Sequence, residues 1–214
     1  MSTTQQQFVN MALDMGALKF GEFTLKSGRQ SPYFFNAGML ARGKAAAMIA
    51  RAYAEQIATH FPDLDVVFGP AYKGIPLAAL TAAALAEHHG IDVPYAFDRK
   101  ETKDHGEGGL IVGGPLSGKI VIVDDVMTAG TAIRYSIDMI RDAGATAAGI
   151  VILLDRQEKG LTDLSAVQEV ERAMDIRVAA IATLADLVTH LEESGAENGA
   201  LERILAYRQQ YGIL

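Results

Sequence analysis

The 214-residue sequence contains no cysteine, which excludes disulfide bonds, thiolate catalysis and cysteine-based zinc sites. Basic residues are also scarce: 19 Lys and Arg stand against 26 Asp and Glu, giving a formal net charge of −7 and a pI near 5.2. This balance argues against a nucleic-acid-binding surface, so a bound anion has to be held by a few local cations. The longest mostly apolar run, residues 75–86, is well short of a membrane span.

The first ten residues, MSTTQQQFVN, have neither the basic region nor the apolar core of a secretory signal. A cytoplasmic location is therefore expected. The length and the hydrophobic content of 50% suit one domain with a substantial core. We expect a single domain over residues 1–214, with neither a nucleic acid nor a membrane as partner.

Residues 119–131, KIVIVDDVMTAGT, combine a short apolar run with two acids and a loop of small residues. The run at 120–123 is β-branched and apolar on both faces, which is typical of a central strand in a parallel sheet. Asp124 and Asp125 follow at the carboxyl end of this strand, where open α/β sheets bind ligands. Because carboxylates accept but do not donate hydrogen bonds, their natural partners are vicinal hydroxyls or a hydrated cation.

The loop at 128–131, TAGT, has the composition of a phosphate-binding turn. Its small residues let backbone N–H groups approach an anion closely, and its two threonines add hydroxyl donors. Isoleucines at 133, 137 and 140 then recur at helical spacing, so the loop delivers its amides at a helix N-terminus. Together the acids and the loop indicate a site for a sugar phosphate.

The rest of the chain alternates predicted helices with predicted strands. Helices are expected near residues 5–15, 45–60, 76–86, 165–174, 184–193 and 200–211, and strands near 66–69, 93–97, 148–154 and 176–182. A hairpin is expected near the N-terminus, with strands at 20–25 and 32–36. The pattern predicts an α/β fold with a mainly parallel central sheet flanked by helices, plus a small hood built from about residues 1–40.

Two more segments are suited to binding an anion. Residues 70–74, PAYKG, join a predicted strand to a predicted helix and place Lys73 at a second helix N-terminus; an ordinary turn with a solvated lysine is the alternative. Residues 99–109 have no apolar residue and three glycines, which predicts an exposed, mobile loop that can close over a ligand. A solvated hairpin end is the alternative there.

Side chains for recognising a flat, charged ligand come from the hairpin and from a later strand end. Phe34 and Phe35 project to opposite sides of their strand, so one ring is expected in the core while the other can form a wall of the site. Lys26 lies at the hairpin turn. Arg156 follows the predicted strand 148–154 and can form a bidentate pair with a carboxylate ligand. A surface ion pair with Asp155 is the alternative for Arg156.

The stretch VIVDDVMTAGTA resembles the phosphoribosyl pyrophosphate (PRPP) signature of the type I phosphoribosyltransferases. Over the whole chain, LKSGRQSPYFFN, PAYKG, DRKETKDHGEGG, the signature and LLDRQEKG occur in an order similar to that of the orotate phosphoribosyltransferase family. The resemblance implies transfer of ribose 5-phosphate from PRPP to orotate, giving orotidine 5′-monophosphate and pyrophosphate in pyrimidine biosynthesis. It also implies Mg²⁺ as cofactor, held mainly by PRPP and water, with no protein ligand assigned to the metal.

The same resemblance implies the roles of individual residues, position by position. Implied PRPP ligands are Tyr72, Lys73, Gly74, Arg99, Lys100, Lys103, His105, Asp124, Asp125, Val126, Met127, Thr128, Ala129, Gly130, Thr131 and Ala132. The implied orotate pocket consists of Lys26, Phe34, Phe35, Thr128 and Arg156, and the implied catalytic residues are Lys103, Asp124 and Asp125. In the family the lid at 99–109 crosses the interface of a homodimer and serves the neighbouring subunit's site.

Two alternatives stay open on the sequence. A regulator could use a PRPP-binding fold to control a nucleic-acid partner, although the acidic balance and the absence of a basic stripe count against it. Within enzymes, the base could be a purine or uracil. Arg156 and Lys26 favour a base that carries a carboxylate, but this choice depends on the family resemblance more than on spacing.

Overall fold

The computed structural model describes residues 3–25, 27–103, 109–127, 130–160, 162–195 and 199–213. Its helices are α1 Thr3–Asp14, α2 Gly43–His60, α3 Gly74–His89, α4 Thr131–Asp142, α5 Ala166–Met174, α6 Leu184–Ser194 and α7 Ala200–Tyr211. Its strands are β1 Leu18–Thr24, β2 Gln30–Phe35, β3 Val66–Gly69, β4 Tyr95–Lys103, β5 Gly109–Gly113, β6 Lys119–Val126, β7 Thr146–Asp155 and β8 Val178–Thr183. A short 3-10 helix, Ala37–Leu40, follows β2.

The main sheet has six strands in the order β5-β4-β3-β6-β7-β8. Neighbouring strands from β4 to β8 are parallel, and β5 adds an antiparallel edge beside β4. From β3 the chain moves through α3 to β4 on one side, whereas from β6 it moves through α4 to β7 on the other. The topological switch point therefore lies between β3 and β6, where a crevice opens at the carboxyl ends of the strands.

Both faces of the sheet are covered, as its apolar central strand requires. Along β6, Ile120 and Ile122 face one hydrophobic cluster and Val121 and Val123 face the other, and all four residues have 0% exposure. Residues of α4 and α5 pack on the isoleucine side, and residues of α1, α2, α3, α6 and α7 belong to the valine side. The predicted central strand and the mainly parallel α/β architecture are confirmed.

The N-terminal hairpin forms a separate two-stranded antiparallel sheet. Its register pairs Leu18 with Phe35 and Thr24 with Gln30. Tyr33 of β2 is fully buried, and its ring meets the ring of Tyr207 edge-on with centroids 6.2 Å apart. The last helix therefore holds the hairpin against the main domain. Within the described ranges, no helix has the length and apolar character needed to cross a membrane.

The predicted loop at 99–109 is partly wrong. Residues 99–103 continue β4, and Gly109 begins β5, which pairs antiparallel with β4. The described part of the segment therefore belongs to a β-hairpin, in agreement with the alternative of a hairpin end. Asp98 pairs with Ile111 and Lys103 with Gly109, with an irregularity between them. Residues 99–103 form a strand because their backbone pairs with β5. Their polar side chains show no alternation that would have predicted it. Residues 104–108 and the side chains of 100–103 lie outside the described part.

Candidate active site

Three chain segments leave the carboxyl ends of adjacent strands at the switch point and beside it. They are the β3–α3 loop with Lys73, the β6–α4 loop after Asp125, and the segment after β7 with Arg156. Because β3, β6 and β7 are parallel neighbours, their carboxyl ends lie side by side. The structure thus places side by side three of the five segments for which the sequence predicted a role in ligand binding.

The two acids of β6 are held in different surroundings. Asp125 is buried, and its N–H donates to Oδ1 of Asp124 over 2.9 Å. The hydroxyl of Tyr53, on α2, donates to the Asp124 carbonyl oxygen over 2.6 Å and fixes the strand end from below. Burial is the main reason that the pKa of the Asp124 carboxyl is raised from 3.8 to about 6; the Asp125 N–H lowers this pKa, and the Asp125 carboxylate adds a smaller rise.

The β6–α4 turn continues from half-buried Val126 and buried Met127. Thr128 and Ala129 lie outside the described residues. Gly130 has a positive φ of 67° and is the residue just before α4, so the N-cap position of this helix has no side chain that could bond its first amides. A Cβ at Gly130 would also lie only 2.9 Å from Cγ2 of Val170. The first amides of α4, from Thr131 and Ala132 onward, are thereby left to bind an anion at the positive end of the helix.

The β3–α3 loop reaches across the crevice to the acids of β6. Lys73 forms a close ion pair with Asp125 through Nζ and Oδ2. Tyr72 is 65% exposed beside it, and Gly74 is the first residue of α3. The N–H of Ala71 donates to Oδ1 of buried Asp98 over 2.6 Å, which ties the loop to β4.

The arm of β4 and β5 starts at this point. Arg99 follows Asp98 on β4 and is half-buried. Lys100 and Lys103 belong to the same strand, but their side chains lie outside the described part, as does all of His105. The structure therefore leaves the roles predicted for these three side chains as predictions.

Arg156 follows β7, next to the end of β6, and its side chain pairs with Glu158 instead of Asp155. Its Nε and Nη2 contact Oε1 of Glu158 at 2.9 and 2.6 Å, and its guanidinium lies 4.4 Å from the ring centroid of Tyr33. The alternative of a surface pair with Asp155 is wrong, because Asp155 Oδ1 instead accepts from the Gln157 N–H over 2.9 Å.

The side chains of Phe34 and Phe35 in β2 point to opposite sides of the strand, as predicted, with one against the core and the other exposed. Phe35 packs against the core, with its ring centroid 6.2 Å from that of Phe8. Phe34 is 38% exposed and stacks on Phe23 at 5.5 Å, which leaves an aromatic face near the hairpin turn. Lys26, at that turn, lies outside the described residues.

Sequence reasoning missed three residues that organise the site: Tyr53, Asp98 and Glu158. Tyr53 sits within an alanine-rich helix and carried no pattern that linked it to β6. Asp98 and Glu158 had a usable signal, because each is an acid placed at or just beyond the end of a predicted strand, as Asp124 is.

Comparison with known proteins places this geometry in a family. A model described as the phosphoribosyl transferase domain matches residues 36–185. The orotate phosphoribosyltransferase of Cronobacter sakazakii is 58% identical over 213 residues, covering 100% of both chains. The chain belongs to the orotate phosphoribosyltransferase family.

Solved structures agree with this family assignment. An orotate phosphoribosyltransferase from Francisella tularensis superposes with a TM-score of 0.87 at 42% identity, over 96% of this chain and 99% of that one. The structure of the orotate phosphoribosyltransferase from Aeropyrum pernix gives a TM-score of 0.67 at 30% identity, over 88% and 98% of the two chains. The resemblance read from the sequence is confirmed at the level of family and fold.

Proposed function

We propose that this chain transfers ribose 5-phosphate from PRPP to orotate, forming orotidine 5′-monophosphate and releasing pyrophosphate. One observation supports the proposal most strongly: Lys73 and Asp125 form an ion pair at the switch point. A few residues after Asp125, α4 begins just after Gly130, which has no capping side chain. A cation, buried carboxylates and free helix amides at one crevice match the pyrophosphate, hydroxyls and phosphate of PRPP. Full-length relatives that bear the name of this activity support it.

We assign the three parts of PRPP to three segments. The turn from Val126 to Ala132 and the first amides of α4 hold the 5′-phosphate, with Thr128, Ala129, Gly130 and Thr131 nearest to it. Asp124 and Asp125 accept hydrogen bonds from the ribose hydroxyls. Tyr72, Lys73 and Gly74 bind the pyrophosphate, and Lys73 exchanges its contact with Asp125 for this group.

The base pocket is assigned to Lys26, Phe34, Phe35, Thr128 and Arg156, under a hood formed by about residues 1–40. The guanidinium of Arg156 binds the carboxylate that distinguishes orotate from uracil, because an arginine can form two parallel hydrogen bonds to a carboxylate of opposite charge. The exposed face of Phe34 suits the flat pyrimidine ring. A purine or uracil has no carboxylate to pair with Arg156, so orotate is the base that fits best.

Mg²⁺ fits the oxygen donors of this crevice. Asp124 and Asp125 would offer hard carboxylate oxygens to the metal, and Mg²⁺ typically keeps several waters and substrate phosphates in addition to one or two carboxylates. No group of three or more His, Asp and Glu side chains is close enough to hold a metal within the described ranges, so we assign most of its ligands to PRPP and water. When bound, Mg²⁺ offsets negative charge on the pyrophosphate.

The reaction develops positive charge on the ribosyl carbon while negative charge grows on the departing oxygens. Lys73 and the lid cations Arg99, Lys100, Lys103 and His105 stabilise the negative charge, and the closed lid excludes water from the ribosyl carbon. We propose a homodimer in which the β4–β5 arm, residues 99–109, reaches the neighbouring subunit's site. The acids of β6 keep the ribose oriented during the transfer.

The activity is tested by incubating the protein with PRPP, Mg²⁺ and orotate, uracil, adenine or hypoxanthine in separate reactions. We expect consumption of orotate alone, with one pyrophosphate released per base. Consumption of another base at a similar rate would refute the assigned base pocket. PRPP binding without consumption of any base would favour a regulatory protein.

The lid is tested by Lys103→Ala, which we expect to raise the barrier by about 3 kcal/mol and to lower turnover more than binding. Mixing Lys103→Ala with Arg156→Ala subunits tests the dimer. If the lid serves the neighbouring subunit, random pairing should restore about a quarter of wild-type activity, because half the dimers then hold one intact site. A lid that acts within its own subunit would give no recovery of activity in the mixture. Near wild-type turnover of Lys103→Ala would show that Lys103 does not have the proposed role in the lid.

A further inference from the structure

Glu158 occupies a central place beside Arg156. One of its oxygens, Oε1, accepts from Arg156 Nε at 2.9 Å and from the Tyr33 hydroxyl at 2.8 Å, and lies 2.6 Å from Arg156 Nη2. The side chains of Arg156 and Glu158 are only 16% and 12% exposed. The carboxylate thus joins the arginine to a fully buried tyrosine of the hairpin.

These contacts fix the orientation of the guanidinium in two ways. Glu158 takes the edge formed by Nε and Nη2, while the plane lies over the Tyr33 ring at 4.4 Å. Nη2 also lies 3.4 Å from Ser31 Oγ. The buried side chain of Tyr207 also lies close to the guanidinium and adds to its confinement. An arginine whose rotamer is already fixed loses less entropy when it binds its ligand.

The backbone that carries this pair is itself held by the C-terminal part of the chain. The N–H of Lys159 donates to the Tyr211 carbonyl over 2.8 Å, and the N–H of Ile213 donates to the Gln157 carbonyl over 2.9 Å. Glu158 and Gly212 form an isolated β-bridge. The segment after β7 therefore cannot shift without breaking main-chain bonds to the end of α7.

We propose that Glu158 is a positioning residue that orients Arg156 toward the carboxylate of the base substrate. This inference rests on the proposed function of Arg156. Glu158 acts through the arginine and does not touch the base. Its negative charge opposes that of the substrate carboxylate, so its benefit comes from hydrogen-bond geometry. A neutral acceptor of the same shape should therefore serve as well, whereas removal of the acceptor should not.

The test measures kcat and both KM values, each at saturating co-substrate, for Glu158→Ala and Glu158→Gln. We expect Glu158→Ala to raise the KM for orotate about tenfold or more, since it removes the acceptor that holds Nε and Nη2 of Arg156, and to leave kcat and the KM for PRPP within about threefold. Glu158→Gln should stay within about threefold of wild type for orotate because the amide oxygen still accepts. Tyr33→Phe keeps the ring and loses one donor to Glu158, so a smaller rise confined to orotate is expected.

Two further variants separate positioning from general damage. In an Arg156→Ala background, Glu158→Ala should weaken orotate binding no further, because there is no arginine left to orient. Glu169→Ala is the matched control: its half-buried carboxylate accepts from Thr162 Oγ1 over 2.7 Å and not from Arg156, so both KM values should be unchanged.

The outcomes show whether the positioning role of Glu158 fails alone or fails together with the proposed role of Arg156 in orotate binding. If Arg156→Ala itself leaves the KM for orotate within about twofold, the assigned base pocket is wrong and the inference fails with it. If Arg156→Ala is severe while Glu158→Ala has no effect, or raises both KM values equally, only the positioning role is overturned. A Glu158→Gln variant as poor as Glu158→Ala, or a further loss in the Arg156→Ala background, would overturn it as well.

Discussion

Lys73 and Asp125 form an ion pair that joins the β3–α3 loop to the end of β6 across the switch point of the sheet. The lysine side chain is 58% exposed and the aspartate side chain 10% exposed. A partly solvated cation thus neutralises a buried carboxylate at the point where pyrophosphate and ribose are proposed to meet. The lysine can move to an anionic ligand, while Asp125 stays in place.

Replacement of Lys73 by alanine should affect activity far more than stability. Because the lysine is solvated, loss of the pair should lower the free energy of unfolding by no more than about 1 kcal/mol. Loss of a charge-assisted contact to pyrophosphate should lower kcat/KM for PRPP about 10- to 100-fold. Steady-state kinetics and urea unfolding measure the two effects.

Lys119→Ala is the matched control for this variant. Lys119 begins β6 at the opposite end of the same strand and pairs with Asp63 on the surface. Its removal should leave kcat/KM unchanged. If Lys119→Ala and Lys73→Ala lowered kcat/KM equally, net charge and not the site would explain the effect.

Asp124 makes the stability of the free protein depend on pH. Burial raises its pKa from 3.8 to about 6, so the folded state favours the protonated acid more than the unfolded state does. The stability that this group contributes is present below pH 3.8 and is lost as pH rises through about 6. An asparagine at this position does not ionise, so the Asp124→Asn variant does not lose stability in this way. The difference in the free energy of unfolding between the variant and the wild type should therefore be about 2 kcal/mol more favourable to the variant at about pH 8 than at about pH 4.5.

Urea unfolding of both proteins without substrate, between these two pH values, measures the difference. The dependence produced by Asp138→Asn, at an exposed position of α4, is subtracted to remove the general effect of one fewer negative charge. A stabilisation that did not grow with pH would show that Asp124 ionises normally. PRPP turnover by Asp124→Asn should be impaired at every pH, because the amide replaces a carboxylate proposed to hold ribose.

The sequence was most informative where side-chain chemistry alone decides the structure. Ile120, Ile122 and their valine neighbours have no polar face, so a doubly covered central strand was their only suitable place, and the acids after them had to lie at the crevice. The approximate bounds predicted for the last helix also agree with those of α7, Ala200–Tyr211.

Features that depend on contacts between distant segments were not predictable from the sequence. Arg99 lies in a strand because β5 pairs with β4, and its own neighbours include no apolar residue. Arg156 meets Glu158 because Asp155 is engaged by a backbone N–H and Gln157 adopts a positive φ of 49°, which is uncommon for glutamine. The Tyr53 contact joins residues 71 positions apart.

Tyr53→Phe tests that distant contact. The hydroxyl of Tyr53, a residue with 0% exposure, donates to the Asp124 carbonyl over 2.6 Å, so its loss removes a buried hydrogen bond. We expect the free energy of unfolding to fall by about 1 to 2 kcal/mol. Urea unfolding measures it, and Tyr135→Phe, at a residue 53% exposed, makes the same chemical change with no expected loss. Equal stability of the two variants would mean that the buried bond contributes nothing.

Gly69→Ala tests the close packing that shapes the β3–α3 loop. A Cβ at Gly69 would lie 1.9 Å from the Gly74 carbonyl oxygen and 2.9 Å from Cβ of Ala78, so the start of α3 would have to move away from β3. Since these contacts involve backbone, which cannot rotate aside, we expect a loss of about 3 kcal/mol or more in the free energy of unfolding. The displaced loop should also raise the KM for PRPP.

Gly43→Ala is the control for the glycine substitution. Gly43 begins α2, and a Cβ there meets nothing within 4 Å, so alanine should leave stability unchanged or raise it slightly. Urea unfolding compares the two variants, and PRPP kinetics show whether the loop has moved. A Gly69→Ala protein with normal stability and normal KM for PRPP would show that β3 and α3 can separate freely, and Lys73 would then not be held at the crevice by this contact.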